Sequence, residues 1–150
     1  MKTITESIRS VPVIAETDVL VVGSGPGGLA AALGAAREGV DTMLVERFGC
    51  LGGNITVVGV EGIGWYRQGG TVESPGIGIE FEKRAKEMGA SSQEPQSNSE
   101  ALNADMFKVV ADKLVQESGI TPLLHSYAID TIMEGNSIIG VVIHTKAGRQ

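Results

Sequence analysis

The sequence is short of three things, and each shortage excludes a class of function. There is one cysteine, Cys50, among 150 residues, so neither an intramolecular disulfide nor a CxxC redox pair can form. The ordinary reading of that thiol is a small, half-buried side chain. There is no basic excess: 12 Lys and Arg stand against 18 Asp and Glu, a net charge of −6 with a pI near 4.9. Nucleic acid and anionic membrane gain no support as partners from that balance, although small anions can still be held locally by backbone amides. Nor does any run approach the roughly 20 apolar residues of a spanning helix, and the start MKTITESIRS lacks the apolar middle of a secretory signal. A cytoplasmic protein is expected. A composition of 42% hydrophobic and 20% charged residues otherwise suits one ordinary soluble domain.

Glycine is what the chain has in plenty. Of its 21 glycines, 16 fall between positions 23 and 78, and the most ordered group lies inside DVLVVGSGPGGLAAALGAAREGVDTMLVE, Asp18 to Glu46. Val19 to Val22 is a short β-branched run of the kind found in parallel strands buried on both faces. Gly23, Ser24, Gly25, Pro26, Gly27 and Gly28 then fit G-x-G-x-x-G. In that pattern Gly23 permits the turn, Gly25 lets a pyrophosphate approach the backbone, and Gly28 lets the next helix lie close to the strand. An alanine-rich helix is expected to Glu38 with Gly39 as its stop, and its N-terminus can hold a diphosphate on free N–H groups without a lysine. Thr42 to Val45 reads as the second strand. Glu46 closes it eighteen residues after Gly28, near the offset at which a carboxylate accepts the adenosine ribose hydroxyls and repels a 2′-phosphate, which argues against NADP. Strand, helix and acid together select dinucleotide binding over a merely structural turn.

Around this unit the chain divides into an N-terminal arm, 1–16, and a domain, 17–150, with a glycine-rich loop and helical insertion at about 55–100. Directly beyond the second strand, Arg47 and the Gly52-Gly53-Asn54 stretch sit where an open parallel sheet takes ligands. The residues alone leave open a second phosphate or ribityl contact and an ordinary turn with a surface arginine. Trp65 and Tyr66 could cover a flat ring or line a substrate pocket, but plugging their own loop onto the core is the commoner use of such a pair. Ile77, Phe81, Ala85 and Met88 predict one helix, and Asn103 as N-cap with Met106, Val109, Val110 and Leu114 predicts another. Ser91 to Ser99 reads as a polar loop. Extended runs follow at Thr121–Ser126, Tyr127–Met133 and Ile138–Thr145, the last two joined at Glu134-Gly135-Asn136. His125 and His144 lie on these runs away from any cluster, so neither is expected to hold a metal or act as a base, and no metal is expected.

Taken together, VLVVGSGPGGLAAA, MLVERFGCLGGNIT, the helices GIGIEFEKRAKEMGA and ALNADMFKVVADKLVQESGI, and the hairpin LLHSYAIDTIMEGNSIIGVVIHTKAGRQ resemble the amino-terminal part of FAD-dependent oxidoreductases of the glutathione-reductase-like fold. The ERxxxLGGN run is similar to the branch that also resembles fumarate reductase flavoproteins. The resemblance implies an α/β fold: a Rossmann-like, FAD-binding parallel sheet with a β-meander, incomplete at the C-terminus. It implies that Gly23 to Gly28 lie along the FAD pyrophosphate, that Glu46 binds the ribose with Arg47 beside the adenine, that Gly52, Gly53 and Asn54 approach the ribityl chain and flavin, and that the Ala128 backbone meets the adenine edge. The family's second cofactor motif and its substrate domain are absent from these residues, so an open sheet edge is expected, and with it a homo-oligomer or a partner completing the sheet. The expected function is the FAD-binding portion of a flavin-dependent oxidoreductase acting on a small organic substrate, with no residue assigned as catalytic acid or base. An NAD-binding module, or a truncated piece without cofactor, is the alternative.

Overall fold

A computed structural model describes residues 2–5, 7, 10–63, 67–68, 71–72, 75–94 and 99–150. The Trp65–Tyr66 pair lies outside them. In chain order the elements are β1 (Val19–Val22), α1 (Pro26–Arg37), β2 (Thr42–Val45), a π-helical turn (Asn54–Val58), β3 (Arg67–Gln68), β4 (Thr71–Val72), α2 (Ile77–Glu87), β5 (Ser91–Gln93), β6 (Glu100–Leu102), α3 (Ala104–Glu117), β7 (Thr121–Leu123), β8 (Tyr127–Glu134), β9 (Ser137–Thr145) and β10 (Gly148–Arg149).

The parallel sheet has the order β1-β2-β7, with Val19 opposite Thr42 and Met43 opposite Thr121. A separate antiparallel meander, β10-β9-β8, turns at Gly135 and Asn136. β8 carries irregularities between Ala128 and Asp130 and between Ile132 and Met133, and such bulges bend a strand and sharpen its twist. α1 lays Leu29, Ala32 and Leu33 into a core shared with Leu44 of β2, Phe81 and Ala85 of α2, and Phe107, Val110 and Leu114 of α3. Phe81 and Phe107 meet edge to face with centroids 5.9 Å apart, an arrangement worth about 1 kcal/mol beyond its area. No described helix is long and apolar enough to cross a membrane.

Three expectations are corrected by the packing. β1 is not buried on both faces: Val19 to Val21 are half-buried and Val22 is 52% exposed. Among the described residues β1 pairs only with β2, so the buried strand is the central one, β2. In α3 the Asn103 cap holds, its Oδ1 accepting from the Met106 N–H at 2.9 Å. The apolar stripe is Phe107, Val110, Ala111, Leu114 and Val115, whereas Met106 and Val109 are exposed. A spacing of three and four residues counted from Phe107 defines that face, and starting from Met106 turns it by one residue, about 100°. Ser91 to Ser99 is not wholly loop, because β5 pairs antiparallel with β6. That ladder is tied by polar groups rather than apolar alternation: Ser91 Oγ donates to Glu100 Oε2 at 2.8 Å, and Lys86 Nζ donates to Oε1 at 2.8 Å. The glycine-rich loop begins with the π-helical turn, a form concentrated at functional sites.

Candidate dinucleotide site

The glycine turn grows out of the sheet. Gly23 N–H donates to the Val45 carbonyl at 2.7 Å, and its φ of +94° is one that a side chain resists. Gly25 is the N-cap of α1, and Pro26, at the first helical position, has no N–H to satisfy. The N–H groups of Gly27 and Gly28 have no intrahelical acceptor in this first turn, which carries no acidic residue. Positive dipole end and free donors therefore face the same space.

The three pattern glycines are required for different reasons. A Cβ on Gly28 would overlap the carbonyl oxygen of Gly23, so that glycine is where helix and strand cross. Gly23 is conformational. Gly25 has an ordinary φ of −58°, and apart from its chain neighbours no protein atom lies within 4 Å of where its Cβ would be. Nothing in the surrounding protein asks for glycine there.

The second glycine stretch lies directly on the first. Gly52 N–H donates to the Ser24 carbonyl at 3.0 Å, and a Cβ on Gly53, where φ is +52°, would stand 2.6 Å from Gly25 Cα. The link to β2 is equally short. Ser24 is fully buried, and both its N–H (2.7 Å) and its Oγ–H (2.6 Å) donate to Glu46 Oε2, while Phe48 N–H donates to Oε1 at 2.8 Å. Burial alone pushes the Glu46 carboxyl up, but the Ser24 hydroxyl and the N–H groups of Phe48, Ser24 and Arg47 together hold it below the ordinary 4.5. A carboxyl lowered by folding contributes stability that is complete above its unfolded value and lost as pH falls through its folded one. Between pH 7 and 3 the urea midpoint should therefore fall below about pH 4.5 in part through this residue, and Glu46→Gln should flatten that acid limb. An acid limb unchanged in Glu46→Gln contradicts the assignment.

Gly23, Glu46, Arg47, Gly53 and Asn54 line one groove of about 270 Å³ together with Val22, Phe48 and Ser126. Ser24 lies buried behind it, Gly52 is buried beneath the second loop, and Gly25 to Gly28 form the adjoining helix start. Ala128 is not among the lining residues; it stands two residues past Ser126, paired with Ile143 in β8. Sequence reasoning missed Phe48 and Ser126. Phe48 carries the Arg47 guanidinium over its ring at 4.5 Å, and its position just beyond a parallel strand was the signal available. Ser126 follows β7, and its N–H donates to the Glu46 carbonyl at 2.9 Å. His125 packs its ring where a Gly49 side chain would be and adopts a left-handed φ of 54°. His144 lies opposite Tyr127 in the meander.

The comparisons with known proteins fit this geometry. A family model described as FAD dependent oxidoreductase matches residues 18–150. The chain belongs to the FAD-dependent oxidoreductase family. Thiamine thiazole synthase from Methanococcus maripaludis strain C5 is 31% identical over 138 residues, covering 89% of this chain and 48% of that protein. Dihydrolipoyl dehydrogenase from Trypanosoma brucei brucei is 49% identical over 51 residues, 34% of this chain and 11% of that protein. The chain thus spans about half the length of the thiazole synthases it matches. Among solved structures, THI4 from Thermovibrio ammonificans superposes with a TM-score of 0.61 at 21% identity, over 88% of this chain and 48% of that one. The open conformation of a flavocytochrome c3 fumarate reductase gives 0.58 at 20%, over 89% and 31%. At such identities the structures establish the fold. This FAD-dependent oxidoreductase chain is a flavin-binding portion, Rossmann-like with a parallel sheet and antiparallel meander, as the sequence resemblance implied.

Proposed function

We propose that the two glycine loops and Glu46 form one FAD site and that FAD bound there serves a redox reaction of a small organic molecule. The observation that carries the reading is Gly25: a glycine at a helix start with an ordinary backbone and open space over its Cβ direction. The donor set fits a diphosphate, with the unpaired N–H groups of Gly27 and Gly28 and no carboxylate in the first turn of α1. Gly23, Gly25, Pro26, Gly27 and Gly28 run along that diphosphate with Ser24 buried behind them, and Glu46 accepts from the adenosine ribose. Arg47, already stacked on Phe48, flanks the adenine, whose edge falls to the backbone between Ser126 and Ala128. Gly52, Gly53 and Asn54 lead toward the ribityl chain.

Bound flavin supplies the acceptance of a hydride or electron pair and its delivery onward. This chain's own residues bind and orient it. The apolar Val22, Val57 and Val58 at the groove wall exclude water from the adenosine half. The carboxylate of Glu46 rejects a 2′-phosphate by charge. The reading includes a cytoplasmic setting, and a strand from a partner or second copy to cover the outer edge of β1.

Flavin fluorescence on adding the chain tests it. Saturable quenching of FAD is expected, reversed by ADP but not by riboflavin, because the residues assembled here hold the ADP half. Quenching that riboflavin reverses and ADP does not would overturn the assignment.

A further inference from the structure

Ser24 has every polar group committed. Its N–H and Oγ–H both donate to Glu46 Oε2, and its carbonyl accepts from Gly52 N–H. It is fully buried, so its hydroxyl does not face the groove that Glu46 and Gly53 line. A carboxylate has about four acceptor sites. Ser24 fills both of those on Oε2, Phe48 N–H takes one on Oε1, and Arg47 N–H adds the weakest pull of the set. The two Ser24 donors at Oε2 and the Phe48 N–H at Oε1 together fix the carboxylate plane, as donors on one oxygen alone would not. The acceptor capacity left to the groove is then on Oε1.

We propose that Ser24 is a positioning residue: its hydroxyl holds the Glu46 carboxylate so that Oε1 accepts an adenosine ribose hydroxyl, making ribose selectivity a property of the Ser24–Glu46 pair. This rests on the FAD reading above. It assigns Ser24 a role other than lining the diphosphate, and it ties the ribose end of the site to the second glycine loop through one residue, since Ser24 also receives Gly52.

ADP and its analogue lacking both ribose hydroxyls separate the possibilities, measured by displacement of FAD from the full chain. The wild type should prefer ADP by roughly tenfold or more, as a site built to accept a hydroxyl rejects the analogue without one. In Ser24→Ala that preference should fall toward unity, and Ser24→Thr, which restores a hydroxyl, should recover it. In a Glu46→Gln background the Ser24→Ala change should have no further effect on the preference, because the two act as a pair. Ser24→Gly serves the same purpose if Ser24→Ala does not fold, the turn being already built of glycine. A preference that survives loss of the hydroxyl in either variant overturns the proposal while leaving the FAD site intact. Absence of any preference in the wild type, with ADP still bound, overturns both the proposal and the ribose role of Glu46. Failure of ADP to displace FAD at all overturns the FAD reading itself.

Discussion

Gly28→Ala should cost this chain its fold as well as its cofactor. The added methyl would run into the carbonyl oxygen of Gly23, a backbone atom that cannot swing aside as the end of a flexible side chain can. Gly23 is itself fixed by its hydrogen bond to Val45 across β1 and β2, so relief requires α1 to lift away from the sheet. α1 supplies Leu29, Ala32 and Leu33 to the core cluster, all fully buried. Overpacking of that kind costs about 3 kcal/mol or more when no repacking is open to it. Against a typical total of about 5–15 kcal/mol, the urea midpoint should drop sharply, with quenching of FAD lost in parallel. A midpoint close to wild type would mean that helix and strand do not cross at these residues.

Gly25→Ala should do the reverse, leaving the fold and removing the cofactor. Here the new methyl meets no protein atom within 4 Å beyond its chain neighbours, and the backbone at φ −58° accepts alanine. The cost to the protein is that of exchanging a glycine for an alanine at an N-cap, about 1 kcal/mol. For the ligand the change is severe, because the proposed site holds a diphosphate on the N–H groups of Gly27 and Gly28, against that same surface. Displacing it loses both the charge-assisted hydrogen bonds and the alignment with the helix dipole, for which a loss of affinity of about a hundredfold, roughly 2.7 kcal/mol, is a fair expectation. The contrast between two glycines of one motif separates packing from binding.

What the sequence made legible was local. β1, the glycine turn, α1 and β2 are specified by neighbours in the chain, and Asn103 caps α3 through a residue three positions away. Membership in the FAD-dependent oxidoreductases was legible too, because the paired motifs are specific in combination. Relations across the chain were not. Gly53 is glycine because it touches Gly25, and Glu46 is held by Ser24, twenty-two residues earlier. Neither contact leaves a periodic trace. The phase of α3 was misjudged because Met106 and Val109 are as apolar as the residues that face the core. The β5–β6 ladder escaped notice because Ser91 and Glu100 supply hydrogen bonds where alternation would supply apolar contacts. β1 read as doubly buried because composition reports what a strand tolerates, whereas its pairing on one edge only is a property of the assembled sheet.

The account turns on whether a diphosphate lies against Gly25. The most direct measurement is a fluorescence titration of FAD with the Gly25→Ala chain beside the wild type, each checked by circular dichroism and urea midpoint. The account predicts saturable quenching by the wild type and affinity reduced about a hundredfold in the variant, with superimposable spectra and a midpoint lowered by no more than a loss of about 1 kcal/mol explains. Equal quenching by two equally folded chains would contradict it and remove the cofactor from the start of α1.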